Sequence, residues 1–338
     1  MNPQPLPDRW IEGAAWLAQA MDLNARLLRL VGMDAERYRA SSFLDDRMMK
    51  PGMDVRLCDL DAVMADAHAL TRDDAGWIFH IGHTGSTLVS RLLGEVDGIL
   101  AIREPRSLRD LGAVSDSERD AVALTLRRLM ARTFAPGQAA LVKASSFVSE
   151  WAPLLMGPDA RALFVFASLP NYIAGILAGE NSVIELRALH DDRQRRLRGR
   201  GVILDGFDRS DAHRSAAAWA CEMSSLEAAA AARPDAAVMW LDFDAMLADM
   251  VPALERCAQH LGMAANQERI AAIVDGPLMR RYSKSLEYDY SPSLRAELLA
   301  EATRDHRGDI ERAVSALHAV AADAPLIARA LGRVQGRG

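Results

Sequence analysis

The stretch GWIFHIGHTGSTLVSRLL, residues 76 to 93, decides the fold class of this chain. It begins with a short apolar run that ends at Ile81, continues with the glycine-containing segment GHTGS, and then places Leu88 and Leu92 on one helical stripe. Glycine permits backbone angles and close approaches that a Cβ would block, so successive N–H groups in such a turn can point at one anion. The stretch therefore predicts a strand, an anion-binding turn and a helix.

The turn carries several candidate donors for a phosphate-like group. Gly82 and Gly85 supply the backbone freedom, Ser86 and Thr87 supply hydroxyls, and a helix beginning near Ser86 adds unpaired amides and the positive end of its dipole. The segment lacks the GxxxxGK[ST] pattern of a Walker A motif, which disfavours an ordinary ATPase or GTPase. The alternative is a glycine-containing turn capped by Ser86 that binds nothing.

Four more short apolar runs follow and alternate with helical patterns. Runs of this length that are buried on both faces are typical of a parallel sheet covered by helices. We therefore expect a doubly wound α/β domain with a central parallel sheet of about five strands. The four runs are GILAI at 98–102, AALVK at 139–143, ALFVFA at 162–167 and AAVMWLD at 236–242.

The two ends of the chain predict helical elaborations of this domain. Apolar residues recur near a helical period in the N-terminal part, no strand is evident there, and a second helical segment runs from 59 to 70. The expected units are a helical elaboration at 1–70, the α/β domain at 71–290 with a long helix at 210–232, and C-terminal helices at 291–338 packed on the same domain. The N-terminal residues that set the helical period are Trp10, Ala14, Leu17, Met21 and Leu28.

Composition limits the classes of partner. Forty Lys plus Arg against 46 Asp plus Glu give the 338-residue chain a formal charge of −6, which disfavours broad capture of nucleic acid or of an anionic membrane. The N-terminus lacks the pattern of a secretion signal, and no apolar run reaches about 18 residues. We expect a soluble cytoplasmic protein in which Cys58, Cys221 and Cys257 are reduced core thiols.

Five segments together resemble the sulfotransferase superfamily. HTGSTL, residues 83–88, is similar to its 5′-phosphosulfate loop, approximately [KR]-[ST]-G-[ST]-T-[LW], and residues from about 76 to 290 match in order. The other segments resemble tyrosylprotein-sulfotransferase-like members, including bacterial sulfotransferase family proteins. They are REP with Glu104, LVKASS with Lys143, DFDAMLADMVPALERCAQHLG at 242–262, and YSK at 282–284.

This resemblance implies a P-loop NTPase-like three-layer fold and transfer of a sulfuryl group. The donor would be 3′-phosphoadenosine 5′-phosphosulfate (PAPS), the product 3′-phosphoadenosine 5′-phosphate (PAP), and the acceptor a hydroxyl or amine of a small molecule or peptide, with no metal. Glu104 would be the general base, Lys143 and Ser283 would stabilise the leaving oxygen, and His83 would contact phosphate. The implied cofactor-binding residues are Gly82, His83, Thr84, Gly85, Ser86, Thr87, Ser168, Ser283 and Lys284.

Two departures from the family pattern keep other functions open. His83 stands where members usually have Lys or Arg, so a phosphate contact would depend on pH. FASLPNYIAGIL, residues 166–177, replaces R-D-P-x-x-x-x-x-S, whose Arg and Ser bind the 3′-phosphate; each lost contact forfeits roughly 1.5 to 3 kcal/mol. The chain could instead be a phosphotransferase-like protein using a nucleotide without a 3′-phosphate, or a non-catalytic binding protein with a decayed site.

Each candidate also has a plainer explanation. His80 and His83 could suggest a metal pair, but His80 is more simply a buried strand histidine. Glu104 could pair with Arg103 or Arg106, Lys143 could be solvated, and Ser283 could sit in a turn. RQRRLRG, residues 193–199, could be a solvated helix end, bind an acidic substrate, or supply the missing charge for the 3′-phosphate. Segments 1–70, 106–138 and 180–210 are expected to form the acceptor pocket, whose ligand the sequence does not reveal, and the oligomeric state is equally open.

Overall fold

The computed structural model describes residues 2–280 and 291–335. Its N-terminal part is an antiparallel three-stranded sheet in the order β1-β2-β3, accompanied by two helices. The elements are β1 (Trp16–Asp22), β2 (Leu27–Gly32), α1 (Ala35–Ala40), β3 (Val55–Asp59) and α2 (Leu60–Ala67).

The expectation of an N-terminal segment without strands is wrong. Five successive residues of β1, from Leu17 to Met21, are buried, so the strand has no exposed face and shows no alternation of apolar and polar residues. Periodicity alone cannot distinguish such a doubly buried strand from a helix. Its unpaired edge is closed by the segment after Glu104: Ser107 Oγ donates to Ala18 O at 2.6 Å, and Met21 N donates to Asp110 Oδ2 at 2.8 Å. The helix expected between 59 and 70 is confirmed as α2.

All five predicted strands of the central sheet are confirmed. The strands run parallel in the order β5-β6-β4-β7-β8. The elements of this part are β4 (Gly76–His80), α3 (Ser86–Leu93), β5 (Ile99–Arg103), α4 (Arg106–Asp110), α5 (Asp116–Met130), β6 (Ala139–Lys143), α6 (Ala152–Leu155), β7 (Ala162–Phe166), α7 (Leu169–Leu177), α8 (Glu180–Ala188), α9 (His190–Gly199), α10 (Asp211–Ala231), β8 (Val238–Asp242), α11 (Phe243–Ala248), α12 (Met250–His260) and α13 (Gln267–Val274).

The C-terminal part is helical, as expected. It comprises α14 (Pro292–Asp305), α15 (Arg307–Ala321) and α16 (Pro325–Gln335). Helices α15 and α16 pack on the long helix α10, and α14 packs on α7. Among the described residues, no helix is long and apolar enough to span a membrane.

Side chains on the two faces of the parallel sheet enter two separate cores, because successive residues of a strand point to opposite faces. On one face Ile78 and Leu163 pack with α3 and α12. On the other, Trp77, Phe79 and Phe164 pack with α10, and this core continues into the N-terminal sheet and the C-terminal helices. The result is the expected three-layer α/β fold of P-loop type, with helices on both sides of one parallel sheet.

The strand order places three site segments together. β4 is central, the chain passes from it to β5 and β6 on one side, and it then returns to β7 on the other side. Open parallel sheets bind ligands at the carboxyl ends of their strands where the order reverses in this way. The residues that directly follow β4, β5 and β6 at that edge are Ile81, Glu104 and Ala144, with Gly82 next after Ile81 and Lys143 as the last residue of β6.

Candidate functional site

His80 shapes the turn after β4 from beneath. The backbone N–H of Gly82 donates to His80 Nδ1 at 2.9 Å, so the proton of the neutral ring lies on Nε2, which is 3.0 Å from Ala144 O. Only 5% of His80 is exposed. The explanation of His80 as a buried strand histidine is therefore confirmed, and its ring ties the end of β4 to the end of β6.

The turn depends on left-handed backbone at three of its residues. The φ angles are +82° at Gly82, +53° at His83 and +62° at Gly85. At Gly85 a Cβ would lie 1.9 Å from the ring of Phe243, so a side chain there is excluded by packing as well as by conformation. A non-glycine residue in this region is uncommon and strained, which marks His83 as a functional candidate on structural grounds.

Several donors at the end of the turn and the start of α3 have no acceptor among the described residues. The amides of Thr84, Gly85, Ser86 and Thr87 make no hydrogen bond to a protein acceptor within the described ranges. The Oγ1 atoms of Thr84 and Thr87 are buried and have no partner there either. Buried polar groups in proteins are normally satisfied, so a set of open donors at the start of α3 indicates an anion site.

The turn opens into a cavity of about 620 Å³ at the carboxyl edge of the sheet. Segments from across the chain line it, including residues of all three regions expected to form the acceptor pocket. The lining residues outside the turn include Phe43, Asp45, Arg47, Glu104, Arg109, Lys143, Ser145, Ser146, Phe147, Gly175, Ala178, Gly179, Ser182, Glu185, Phe243, Leu294, Arg295, Leu298 and Leu299.

Glu104 and Lys143 meet in this cavity as an ion pair. Lys143 Nζ donates to Glu104 Oε1, Ser145 Oγ donates to Oε2 at 3.4 Å, and Arg47 Nη2 lies 3.7 Å from Oε2. The lysine side chain is 1% exposed and the carboxylate 13%. Glu104 also has a left-handed φ of +53°, which the hydrogen bond from its N–H to Lys143 O at 2.7 Å helps to hold.

The plainer explanations of this pair do not match the structure. The guanidinium of Arg103 donates to backbone carbonyls, and Arg106 pairs with Asp46 and Asp110, so neither side chain is the partner of Glu104. Lys143 is buried and is not a solvated lysine. Burial of an acid and a base against each other at one end of a cavity is an arrangement found at functional sites.

His83 lies on the wall that α8 forms. Its Nδ1 is 3.4 Å from Ser182 Oγ, and its Nε2 is 3.8 Å from Glu185 Oε2. In the neutral ring one of these nitrogens donates and the other accepts, whereas in the imidazolium both donate, so only the neutral ring can accept a hydrogen bond from Ser182 Oγ. Its position between the turn and α8 brings it to the same cavity as the open threonine hydroxyls.

The described residues from α7 and α8, where a 3′-phosphate was expected, bring no cation to the cavity. Ser168 caps α7, accepting from Asn171 N at 3.4 Å, and is not among the residues that line the cavity. Gly175 and Gly179 line the cavity instead, and the charged lining residue from α8 is the acid Glu185. Ser283 and Lys284 lie outside the described residues.

Arginines of the segment 193–199 form ion pairs away from the cavity. Arg193 and Arg196 of α9 turn inward to the fully buried carboxylate of Glu222, and Arg196 and Arg200 also pair with Glu150. No residue of 193–199 lines the cavity. Arg193 and Arg196 therefore link α9 to α10, and the explanation of a solvated helix end does not apply to them. They supply no charge to the cavity.

Residues of the first 110 positions complete the site, and the sequence motifs did not identify them. Phe43, Asp45 and Arg47 come from the segment after α1, and Arg109 comes from α4. The available signal was a cluster of arginines and aspartates at 45–47 and 106–110, which has no fixed spacing to any known motif. Across the described residues, no group of three or more His, Cys, Asp or Glu is arranged to hold a metal ion.

Comparisons with known proteins give structural neighbours only. No protein-family model matches the chain, and no curated protein matches its sequence. Among solved structures, it is similar to a sulfotransferase domain from the curacin biosynthetic pathway, at 12% identity and a TM-score of 0.42, covering 72% of this chain and 97% of that one.

Two other similar structures are enzymes of the same name. A sulfotransferase from Mycobacterium tuberculosis is 13% identical, with a TM-score of 0.38 and coverage of 70% of this chain and 79% of that one. A mouse sulfotransferase complexed with PAP is 12% identical, with a TM-score of 0.35 and coverage of 74% and 92%.

Proposed function

We propose that this protein transfers a sulfuryl group from PAPS to a hydroxyl or amine acceptor. The observation that carries the proposal is the shared cavity: the open donors of the turn and the Glu104–Lys143 pair face the same space. Sulfuryl transfer, like phosphoryl transfer, requires mainly positioning and neutralisation of charge on peripheral and leaving oxygens. A turn that binds an anion next to a buried acid and base meets those requirements.

The described residues fit the 5′ end of such a donor. The amides from Thr84 to Thr87 and the unpartnered Oγ1 atoms of Thr84 and Thr87 would hold the 5′-phosphate. When bound, PAPS supplies the sulfuryl group and the bisphosphate leaving group. Thr84, Thr87 and the start of α3 orient that end of the donor through hydrogen bonds that do not need a metal.

Glu104 and Lys143 would share the chemistry. Glu104 accepts the proton of the acceptor while the acceptor oxygen or nitrogen bonds to sulfur, and Lys143 stabilises the bridging oxygen whose bond to sulfur breaks. Ser283 is expected to assist Lys143, a role that rests on the YSK motif alone. Because Lys143 contacts Glu104 directly in this structure, donor binding must draw the ammonium partly away from the carboxylate before Glu104 can act as base.

Isothermal titration with PAP tests the proposal. We expect binding at micromolar to millimolar concentration, and loss of turnover with PAPS in Glu104→Gln and Lys143→Met. A folded protein that fails to bind PAP at millimolar concentration would refute the sulfotransferase function. Unchanged turnover in both variants would remove Glu104 and Lys143 from the mechanism.

A nucleotide without a 3′-phosphate is the second candidate, and one observation favours it. The wall at α7 and α8 presents Gly175, Gly179 and the acid Glu185, with no Arg or Lys from those helices among the cavity-lining residues. A 3′-phosphate would therefore receive no charge-assisted contact from α7 or α8. Binding of Mg-ATP in preference to PAP would establish this alternative. Full biological function in Glu104→Ala and Lys143→Ala would instead indicate a non-catalytic binding protein.

A further inference from the structure

A rigid segment of the N-terminal part forms one wall of the cavity beside Glu104. Arg103 is only 2% exposed, and its guanidinium donates to the carbonyls of Tyr38, Arg39 and Ser41. Leu44 N donates back to Arg103 O at 2.7 Å, and the buried amide of Gln19 donates to Leu44 O at 3.2 Å. These bonds tie the segment after α1 to the end of β5, one residue before the proposed base.

Two arginines on this wall share one carboxylate. Asp45, whose side chain is 5% exposed, accepts from Arg47 Nη2 at 2.7 Å and from Arg109 Nη2 at 3.3 Å. The Arg47 guanidinium also lies 3.5 Å from the centroid of the Phe43 ring, which fixes its plane. The buried Asp45 therefore positions both guanidinium groups, and the Phe43 ring also orients that of Arg47, whose side chain is 57% exposed.

The two arginines have N–H donors that their carboxylate partners leave open. Arg47 and Arg109 line this end of the cavity with Lys143, Asp45 and Glu104. Glu185 lines the same cavity and also interacts electrostatically with Arg47. A guanidinium has five N–H donors in a fixed fork. Among the described residues, Nη1 of Arg47 and both Nε and Nη1 of Arg109 have no hydrogen-bond acceptor, although both side chains line the cavity.

We propose, building on the sulfotransferase function above, that the acceptor is a hydroxy compound with an anionic group, such as a carboxylate, close to the reacting hydroxyl. The anionic group would bind Arg47 and Arg109, and the hydroxyl would face Glu104. Arg47 Nη2 and Glu104 Oε2 are 3.7 Å apart, so the two groups of the acceptor are separated by only a few bonds. Arg47 and Arg109 are thus specificity-determining residues, and planar carboxylate recognition suits their geometry.

Calorimetry with matched acids and esters tests this inference. The probes are 2-, 3- and 4-hydroxy carboxylates and their methyl esters, titrated into the full chain with and without saturating PAP. We expect at least one acid to bind about tenfold or more tightly than its ester. Arg47→Gln and Arg109→Gln should reduce that preference to about threefold or less while PAP affinity stays the same.

Arg106→Gln is the matched control. Arg106 pairs with Asp46 and Asp110 in the same region, but it does not line the cavity. This variant should keep the full preference for the acid. A preference lost equally in Arg106→Gln would show that the effect comes from general disturbance of the segment and would overturn the inference.

The remaining outcomes separate the inference from the proposed function. Equal binding of acids and esters, no binding of any acid, or a preference that survives the Arg47→Gln/Arg109→Gln double substitution would overturn the inference while leaving the sulfotransferase proposal in place. Weaker PAP binding in Arg47→Gln would assign this arginine to the donor and also overturn it. Arginine-dependent acid binding in a protein that does not bind PAP would uphold the anionic subsite and refute sulfuryl transfer.

Discussion

At the scale of single residues, Lys143 and Glu104 combine a stability requirement with a proposed catalytic role. The lysine side chain is 1% exposed, so its charge depends on the carboxylate beside it. Removing one member of a buried ion pair is strongly destabilising, whereas removing both is much less so. The pair is therefore expected to be coupled energetically as well as chemically.

A double-mutant cycle measures this coupling. We expect Glu104→Gln and Lys143→Met each to lower the free energy of unfolding by about 3 kcal/mol, because each leaves the other member without its nearest countercharge. The double variant should lose clearly less than the sum of the two. Urea unfolding followed by tryptophan fluorescence gives the three values. Strictly additive losses would contradict a direct interaction between the two side chains.

The cysteines are a second residue-scale case, because burial decides their reactivity. Desolvation raises the pKa of Cys221 to about 12 and that of Cys257 to about 12, and it also raises the pKa of Cys58. All three thiols are free and buried. The expectation of reduced core thiols is confirmed for their burial and lack of disulfides within the described chain.

Alkylation kinetics test these thiols. The thiolate is the reactive form, so at about pH 8 native Cys221 and Cys257 are almost wholly protonated and should react far more slowly than a free thiol of ordinary pKa near 8.5. Mass spectrometry after brief treatment with iodoacetamide should find no modified thiol in the native protein and three in urea. Rapid modification of Cys221 or Cys257 in the native protein would contradict their burial.

At the scale of elements, the turn between β4 and α3 needs glycine for two separable reasons. Gly85 and Gly98 both have positive φ, +62° and +77°. A Cβ at Gly85 would meet the Phe243 ring, whereas a Cβ at Gly98 would meet nothing within 4 Å. The two positions therefore separate backbone strain from steric exclusion.

Alanine substitution at these two glycines measures the difference. Gly98→Ala should cost about 1 to 2 kcal/mol of unfolding free energy from the left-handed backbone alone. Gly85→Ala should cost about 1 to 3 kcal/mol more, because the Phe243 ring must move to admit the methyl group. Chemical denaturation of both variants provides the comparison. Equal losses would show that Phe243 gives way without cost.

Two hydroxyl-bearing residues of α3 allow an effect on folding to be separated from an effect on binding. Thr87 and Ser90 both bury a side-chain oxygen with no partner among the described residues, but only Thr87 lines the cavity. Replacing an unsatisfied buried hydroxyl by an apolar group of similar shape is close to neutral or stabilising. The two hydroxyls are therefore expected to cost a similar free energy of folding, whereas only that of Thr87 is expected to contact a ligand in the cavity.

Thr87→Val and Ser90→Ala form a matched pair for this point. Neither should lower the free energy of unfolding by more than about 0.5 kcal/mol. PAP affinity should fall about tenfold in Thr87→Val, equivalent to about 1.4 kcal/mol, and should stay the same in Ser90→Ala. Thermal melts and calorimetry give the two readouts. An unaltered PAP affinity in Thr87→Val would exclude its hydroxyl from the phosphate site.

Element by element, the sequence predicts what is local and misses what is set by packing. The parallel strands are apolar runs bounded by glycine, proline or charge, so β4 to β8 could be located from the sequence. β1 could not, because both of its faces are buried and its helical spacing is accidental. The turn that we propose binds an anion has a local sequence pattern. Arg47, from the segment after α1, and Arg109, from α4, are brought to the cavity by the packing of the N-terminal part, which no spacing rule encodes.

At the scale of the whole molecule, one core joins the three parts of the chain. Trp77 and Phe164 of the parallel sheet, Leu28 and Leu30 of the N-terminal sheet, and buried residues of the C-terminal helices belong to the same contiguous cluster. The division at about 70 and 290 stays a prediction from the sequence. A shared core of this kind favours unfolding as a single cooperative unit.

Removal of the C-terminal helices tests this cooperativity. Leu317 and Ile327 are fully buried, and Arg333 Nη2 is 3.1 Å from Oε2 of the buried Glu227 of α10. Each large apolar side chain contributes about 1.5 to 3 kcal/mol when buried, and loss of Arg333 removes an ion-pair partner of Glu227. A chain ending at residue 290 is therefore expected to lose its cooperative transition and to aggregate. A chain lacking only residues 336–338 is the control and should melt like the full protein. Circular dichroism melts with size-exclusion chromatography give the readout; a monomeric truncated chain that melts at the full protein's temperature would show that 291–338 form a separate unit.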